Sequence, residues 1–303
     1  MKILITGGAG FIGSNLALEL QKNNTITVID NLSSGNEKNL KNFEGEVINS
    51  DILTFKLNKK FDVIIHQAAT TDTTFKPDSE MIRQNVAGFE NILNLALKYN
   101  SGLIYASSAG GYGNGPVPMK ENQALQPLNA YAKSKVMIED IAKKHFDKIK
   151  IIGLRYFNVF GPLEKYKGKS ASMIYQLRNQ MLAGKNPRLF KYGEQKRDHV
   201  YVKDVVNATI KAMGAKKSGI YNVGTGIGTT FNELIKILNG VLKINARIEY
   251  FDNPITRVYQ VNTQADTRLT EKELRFKADF RLKEGIQDYI NFLEKEERKE
   301  ESG

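Results

Sequence analysis

The sequence predicts an α/β fold: a doubly wound parallel sheet with a smaller, mixed lobe toward the carboxyl end. Three observations predict it. Short apolar runs alternate with helical patterns, a glycine-rich turn joins the first run to the first helix, and the second run ends in an acid. At 303 residues and 41% hydrophobic content, the chain is long enough for one large domain plus a lobe, and its core needs no staple.

In chain order, Lys2 to Thr6 reads as a strand, the glycines after it as a loop, and Ser14 to Gln21 as a helix. Thr25 to Ile29 is a second strand, ending in Asp30. Glu46 to Asn49, Val63 to His66, Leu103 to Ala106 and Ile151 to Tyr156 are further buried strands, with helical patterns at Asp78 to Tyr99 and Tyr131 to Phe146 between them. Such alternation implies a parallel sheet covered on both faces. After Gly161-Pro162 the pattern changes to helices at Ser172 to Ala183, Val205 to Met213 and Phe231 to Leu242, with a short strand around Leu189. We therefore expect a dinucleotide-binding domain over 1–161, to which the segment near 202–224 returns through the run Gly219 to Val223. A substrate lobe is expected over 162–201 and 225–303.

Composition narrows the chemistry. With no cysteine, the chain has no disulfide, thiolate nucleophile or cysteine-ligated metal, and a reducing cytoplasm is the expected setting. The apolar run at the amino terminus is too short for a signal peptide, and no stretch approaches the ~20 apolar residues of a membrane span. A formal net charge of +11 raises the question of a polyanion. The lysines alternate with acids, however, as in the tail Glu294-Lys-Glu-Glu-Arg-Lys-Glu-Glu301, so solvated surface is expected rather than a nucleic-acid partner. The excess charge still suits a diphosphate-bearing substrate.

The turn Gly7-Gly8-Ala9-Gly10-Phe11-Ile12-Gly13 carries Gly7, Gly10 and Gly13 at three-residue spacing between strand and helix. Glycine there lets the backbone approach a pyrophosphate at the helix amino terminus, the mark of a Rossmann-type site; Phe11 and Ile12 are counted with it. Asp30 is placed to accept from the adenosine ribose, which favours NAD, whereas Asn31 and Lys38 nearby leave NADP open, since a lysine there can pair with a 2′-phosphate. Asp51 and Ile52 are candidates for the adenine side. His66 reads as structural, and Gln67, Ala68 and Ala69 after it are small enough to let backbone lie against the cofactor.

The decisive feature is Tyr131-Ala-Lys-Ser-Lys135 with Ser107-Ser108 ending an earlier strand. Tyrosine and lysine four apart share a helix face. A free tyrosine, with a pKa of ~10, is a poor base, but a neighbouring ammonium and a cationic nicotinamide favour its phenolate. Tyr131 then takes a proton from a substrate hydroxyl as hydride leaves, Ser108 holds the substrate oxygen, and Lys135 also binds the nicotinamide ribose.

On these motifs the chain resembles the extended short-chain dehydrogenases/reductases over nearly its full length, and within them the sugar-nucleotide epimerases. Tyr105-Ala-Ser-Ser108, Arg155-Tyr-Phe-Asn-Val-Phe-Gly-Pro162, Lys167-Gly-Lys-Ser-Ala-Ser172, Lys196-Arg-Asp-His-Val-Tyr-Val202 and Tyr259-Gln-Val-Asn-Thr-Gln-Ala-Asp266 are similar to the ADP-L-glycero-D-manno-heptose 6-epimerase family. That resemblance implies Tyr131 and Lys167 as two acid/base groups, Lys135, Asn85 and Val159 at the cofactor, and Asn158, Phe190, Arg197 and Tyr259 at the substrate. Lys169 and Gln176 fall at substrate positions where the family more often has Ser and His, and Gly110-Gly111 departs from the usual pair, giving a more flexible loop. For Arg197 an ion pair with Asp198 is the structural alternative.

The implied activity inverts C6 of the heptose in ADP-D-glycero-D-manno-heptose, a lipopolysaccharide core precursor, through a transient ketone. One tightly held NADP or NAD per subunit and a homo-oligomer are expected. A UDP-hexose 4-epimerase is the enzymatic alternative; it needs only Tyr131, because the whole ring can turn over. A non-catalytic dinucleotide sensor is the alternative from another class, and it has no use for Ser108, Tyr131 and Lys135 together.

Overall fold

A computed structural model describes residues 1–71, 77–254 and 259–302. The first half runs β1 (Lys2–Thr6), α1 (Phe11–Leu20), β2 (Thr25–Asp30), β3 (Glu46–Asn49), β4 (Val63–His66), α2 (Asp78–Tyr99), β5 (Gly102–Ser108), α3 (Ala130–Lys143) and β6 (Ile151–Tyr156). Then follow β7 (Asn158–Phe160), α4 (Met173–Leu182), β8 (Arg188–Phe190), β9 (Lys196–Arg197), β10 (His199–Tyr201), α5 (Val202–Met213) and β11 (Gly219–Val223). The chain ends with β12 (Thr229–Thr230), α6 (Phe231–Leu242), β13 (Glu249–Phe251), α7 (Arg268–Leu274) and α8 (Leu282–Ser302).

Seven strands form one parallel sheet in the order β11-β6-β5-β4-β1-β2-β3. The five inner strands are apolar runs buried on both faces, as a sheet sandwiched between helix layers requires. One core packs α1 and α5 against it through Leu16, Ala17, Val205 and Ala208, and the other packs α2 and α3 through Phe89, Ile92, Leu93 and Ile138. The strand order reverses at β1, which pairs with β2 on one side and β4 on the other, with Thr6 level with both Ile29 and His66. This switch point leaves a crevice beyond the carboxyl ends of the strands, where ligands of such sheets bind.

A third core joins α4, α6 and α8 around Leu177, Leu234, Ile286 and Tyr289, and it carries the smaller lobe. The run Gly219–Val223 does return to the main sheet, pairing with β6. Helix α1 starts at Phe11, three residues before the sequence reading, because the glycine turn itself opens the helix. The two-residue ladder β9–β12 and the parallel pair β8–β13 were not anticipated. Neither has enough residues to show an alternating pattern. Among the described residues, no helix is long and apolar enough to cross a membrane.

Candidate active site

A cleft of about 1060 Å³ opens where the sheet order reverses. Gly7, Gly10, Phe11, Ile12 and Gly13 line its floor together with Gln67, Ala68 and Ala69. The glycines are required by contact. Gly7 has φ +68° and a side chain on it would lie 2.6 Å from Ala68 N, while a Cβ on Gly13 would meet Gly7 O at 2.1 Å. No side chain caps the amino terminus of α1, so its positive end faces the cleft, as a pyrophosphate requires.

Asp30, Asn31, Asp51 and Ile52 line the same end. The Asp30 carboxylate accepts from Ala9 N (2.9 Å) and Leu32 N (2.8 Å), tying the glycine turn to the end of β2 while leaving lone pairs for a ribose. Asn31 donates to Asp51 at 3.2 Å. Lys38 is exposed in a short turn, does not line the cleft, and lies close enough to Glu300 of α8 to influence its charge. Asn85 lines the cleft, but its amide is used on protein, accepting from Thr70 N (2.8 Å) and donating to Thr70 O and Ser134. It pins the loop after β4. His66 is structural as read, buried, bonded to Thr6 at 2.8 Å and pushed down to about 3 by burial and then by the Lys135 charge.

Ser108, Tyr131 and Lys135 meet on one wall. A buried ion pair seats α3 here: Arg155 of β6 donates twice to Glu139 of α3 (2.8 and 2.6 Å), and Ser107 of β5 donates to the same carboxylate at 2.6 Å. The Lys135 ammonium sits 5.6 Å from the Tyr131 ring centre and donates to Ala106 O at 2.8 Å. Tyr131 shows an edge to the cleft, yet protein packed around it pushes its hydroxyl up to about 12 by desolvation, against the hydrogen bond from Ser108. Lys135 is pushed down to about 8 by burial. In the protein alone, then, burial keeps Tyr131 a phenol, and the expected phenolate needs the cationic nicotinamide as well as Lys135. Gly110 and Gly111 lie in a short helical turn, Ala109–Tyr112. Ser108 caps it by accepting from Gly110 N at 3.1 Å, and a side chain on Gly111 would press on Val136 at 3.2 Å.

Lys167, on the short helical turn Lys165–Ser170, reaches the cleft from the lobe side with its ammonium 5.4 Å from the Phe11 ring centre. Burial holds its pKa below the usual lysine value, and the charge of Glu164 opposes that. Gln176 also lines the cleft, but its amide donates to Ala171 O (2.7 Å) and Lys169 O (3.2 Å), so it braces the Lys167 turn. Lys169 is exposed and off the cleft lining.

Arg197, Asn158 and Val159 complete the lining opposite. The Arg197 guanidinium is held by the carbonyls of Lys196 (2.9 Å), Val261 (2.9 Å) and Gln260 (2.5 Å) and stacks 4.9 Å from the Tyr259 ring centre. The ion pair with Asp198 does not form. Asp198 is buried and accepts instead from Thr225, Gly226 and Ala265. Tyr259, which stacks on Arg197, and Phe190, whose ring lies 5.2 Å from that of Tyr259, are not among the residues lining the cleft. Sequence reading missed Tyr156, whose hydroxyl accepts from Gln67 at 3.1 Å, and His199, which burial and the Arg197 charge hold neutral, down to about 3. Position within their quoted segments was the only signal either gave.

This geometry has counterparts. The chain is 38% identical to an ADP-L-glycero-D-manno-heptose-6-epimerase of Brachyspira hyodysenteriae, over 97% of this chain and 98% of that one. It is 35% identical to a putative UDP-glucose 4-epimerase of Methanocaldococcus jannaschii, over 98% and 99%. The crystal structure of Helicobacter pylori ADP-L-glycero-D-manno-heptose-6-epimerase superposes with a TM-score of 0.90 at 40% identity, covering 97% of this chain and 96% of that one. The family model for the NAD dependent epimerase/dehydratase family matches residues 3–224. The protein is thus an enzyme of the epimerase type, and the chain belongs to the NAD dependent epimerase/dehydratase family.

Proposed function

We propose that the chain inverts C6 of ADP-D-glycero-D-manno-heptose to give ADP-L-glycero-D-manno-heptose, with NAD held across the glycine turn. One observation carries the reading: Tyr131 and Lys167, from different lobes, line a single cleft whose floor fits a dinucleotide. The similarity to the Brachyspira and Helicobacter enzymes supports the sugar. NAD is preferred to NADP because the Asp30 carboxylate, at the β2 end, repels a 2′-phosphate and Lys38 is not among the residues lining the cleft. The lobe division at 161/162, a homo-oligomeric state and a cytoplasmic setting remain part of the same proposal.

NAD, when bound, supplies the hydride acceptor and donor together with a positive ring beside the phenol. Tyr131 takes the proton from the C6 hydroxyl as its hydride departs, and Ser108 donates to the oxygen that becomes the carbonyl. Lys135, fixed on Ala106 O, is available to the nicotinamide ribose. C6 is exocyclic, so presenting the other carbonyl face turns its oxygen away from Tyr131. Lys167 then gives the proton that completes the new hydroxyl. Arg197 holds diphosphate oxygens with the guanidinium edge its carbonyl partners leave free.

The test is turnover of ADP-D-glycero-D-manno-heptose against UDP-glucose by the purified enzyme. Conversion of the heptose is expected. Conversion of UDP-glucose alone replaces this reading with the 4-epimerase, which the Methanocaldococcus relative favours. Tight dinucleotide binding with no turnover of either sugar favours the sensor.

A further inference from the structure

Glu164 is fully buried, and its carboxylate bonds the residues that flank the turn carrying Lys167. One oxygen accepts from Gly161 N (3.2 Å), before the turn, and from Ser172 Oγ (2.8 Å), after it; the other accepts from Ser172 N at 2.6 Å. Its backbone carbonyl also accepts from Lys167 N at 2.9 Å. A buried carboxylate costs free energy unless it is hydrogen-bonded and near a cation, and this one has both. Burial raises the Glu164 pKa, its hydrogen bonds and the Lys167 charge oppose that, and its own charge in turn favours the Lys167 ammonium.

Other groups face it without replacing that role. Tyr289 of α8 lies beside it, with Tyr175 and Arg178 of α4 next to that phenol. Arg178 is taken by two hydrogen bonds to Glu297 at 2.8 and 2.9 Å. On the turn itself, Lys165 is paired with Glu300, and Lys169 is exposed.

We propose that Glu164 is the positioning residue for Lys167: its carboxylate clasps both ends of the turn and sets a negative charge beside the ammonium, presenting Lys167 to the cleft as the second proton donor and acceptor. The proposal rests on the two-base reading above. It gives a buried acid between Gly-Pro and the Lys-Gly pair a task that neither substrate nor cofactor contact supplies.

The test compares Glu164→Gln, Glu164→Asp and Lys167→Met with the unaltered holoenzyme. The readouts are single-turnover hydride transfer from each epimer and the pH dependence of Lys167 reductive methylation followed by peptide mass spectrometry. Glu164→Gln removes the charge. Its Lys167 methylation midpoint should move to lower pH, and transfer from the Lys167-dependent epimer should slow on the order of 10- to 100-fold while the other epimer is nearly unaffected. Glu164→Asp keeps the charge but shortens its reach, so the midpoint should stay near that of the unaltered protein while the rate falls.

An unmoved midpoint in a folded Glu164→Gln protein overturns the proposal, as does equal slowing from both epimers. If Glu164→Gln does not fold, Ser172→Ala, which removes one clasping bond, must slow the Lys167-dependent epimer selectively or the proposal fails. Normal epimerisation by Lys167→Met sinks the two-base reading and Glu164's role with it, whereas an impaired Lys167→Met beside an unaffected Glu164→Gln sinks the Glu164 role alone.

Discussion

The ammonium of Lys135 stands 5.6 Å from the centre of the Tyr131 ring, yet its hydrogen bond goes to the strand, to Ala106 O at 2.8 Å. The lysine is thus fixed to the same strand that ends in Ser108, and the Tyr131 ring is held beside a cation the fold has desolvated. Burial pushes Lys135 down to about 8, with the Glu139 charge opposing.

A cost in stability follows. The folded value lies below the unfolded one of ~10.4, so between the two the unfolded chain binds the extra proton. Stability therefore rises with pH through the window from about 8 upward and carries its full penalty below it. Lys135→Met should abolish epimerisation while raising the unfolding free energy of nucleotide-stripped protein at pH 7 by roughly 1–3 kcal/mol, the desolvation relief less the lost bond to Ala106. Urea unfolding at pH 7 and pH 10 checks it. The gain should shrink at the higher pH, and a destabilised Lys135→Met would contradict the account.

The dinucleotide released by denaturing the purified protein should be NAD by mass. Asp30→Ser removes a carboxylate that binds Ala9 N and Leu32 N and faces the cleft. It should weaken NAD binding by about 10-fold or more, since each lost charge-assisted hydrogen bond contributes ~1.5–3 kcal/mol, and it should narrow the preference over NADP. Recovery of NADP from the unaltered protein would reject the role given to Asp30.

The same residues show how far the sequence could be read. The inner strands were legible because each is a run of apolar residues buried on both faces, and the glycine turn and Tyr131/Lys135 because their geometry is local. Helix α8 was not, since Gly285, Ile286, Tyr289, Ile290 and Leu293 are buried along a helix otherwise crowded with charge. Asp198 looked like a partner for its neighbour Arg197. Its real partners, Thr225, Gly226 and Ala265, come from distant segments, and no local spacing reports them. Glu164 escaped for the same reason.

Arg197 is oriented by three carbonyls and the Tyr259 ring. Lysine keeps the charge but cannot satisfy those carbonyls and reach a diphosphate together. Arg197→Lys should raise KM for the nucleotide sugar about 10- to 100-fold, equivalent to ~1.4–2.8 kcal/mol, with bound NAD retained. Tyr259→Leu, which removes the stacking ring and its hydroxyl but leaves the guanidinium, should cost less than Arg197→Lys. A KM unchanged in both would place the diphosphate elsewhere.

The division of labour between Tyr131 and Lys167 separates a two-base epimerase from a one-base one. Tyr131→Phe removes the proton acceptor and keeps the ring; Lys167→Met removes the ammonium that lies over Phe11 and keeps most of the stem. Loss of a positioned acid/base group typically costs ~10² to 10⁴ in rate. Each base serves one epimer, so single-turnover hydride transfer should fail in Tyr131→Phe mainly from one epimer and in Lys167→Met mainly from the other, with both variants still binding nucleotide and substrate. The pH dependence should differ too. Burial raises Tyr131 to about 12 and lowers Lys167, so the Lys167-dependent direction should reach its base-limited plateau at lower pH than the protein's own groups allow for Tyr131. Near-normal epimerisation by Lys167→Met would leave Tyr131 as the single base, and with it a substrate whose whole ring turns over in the cleft.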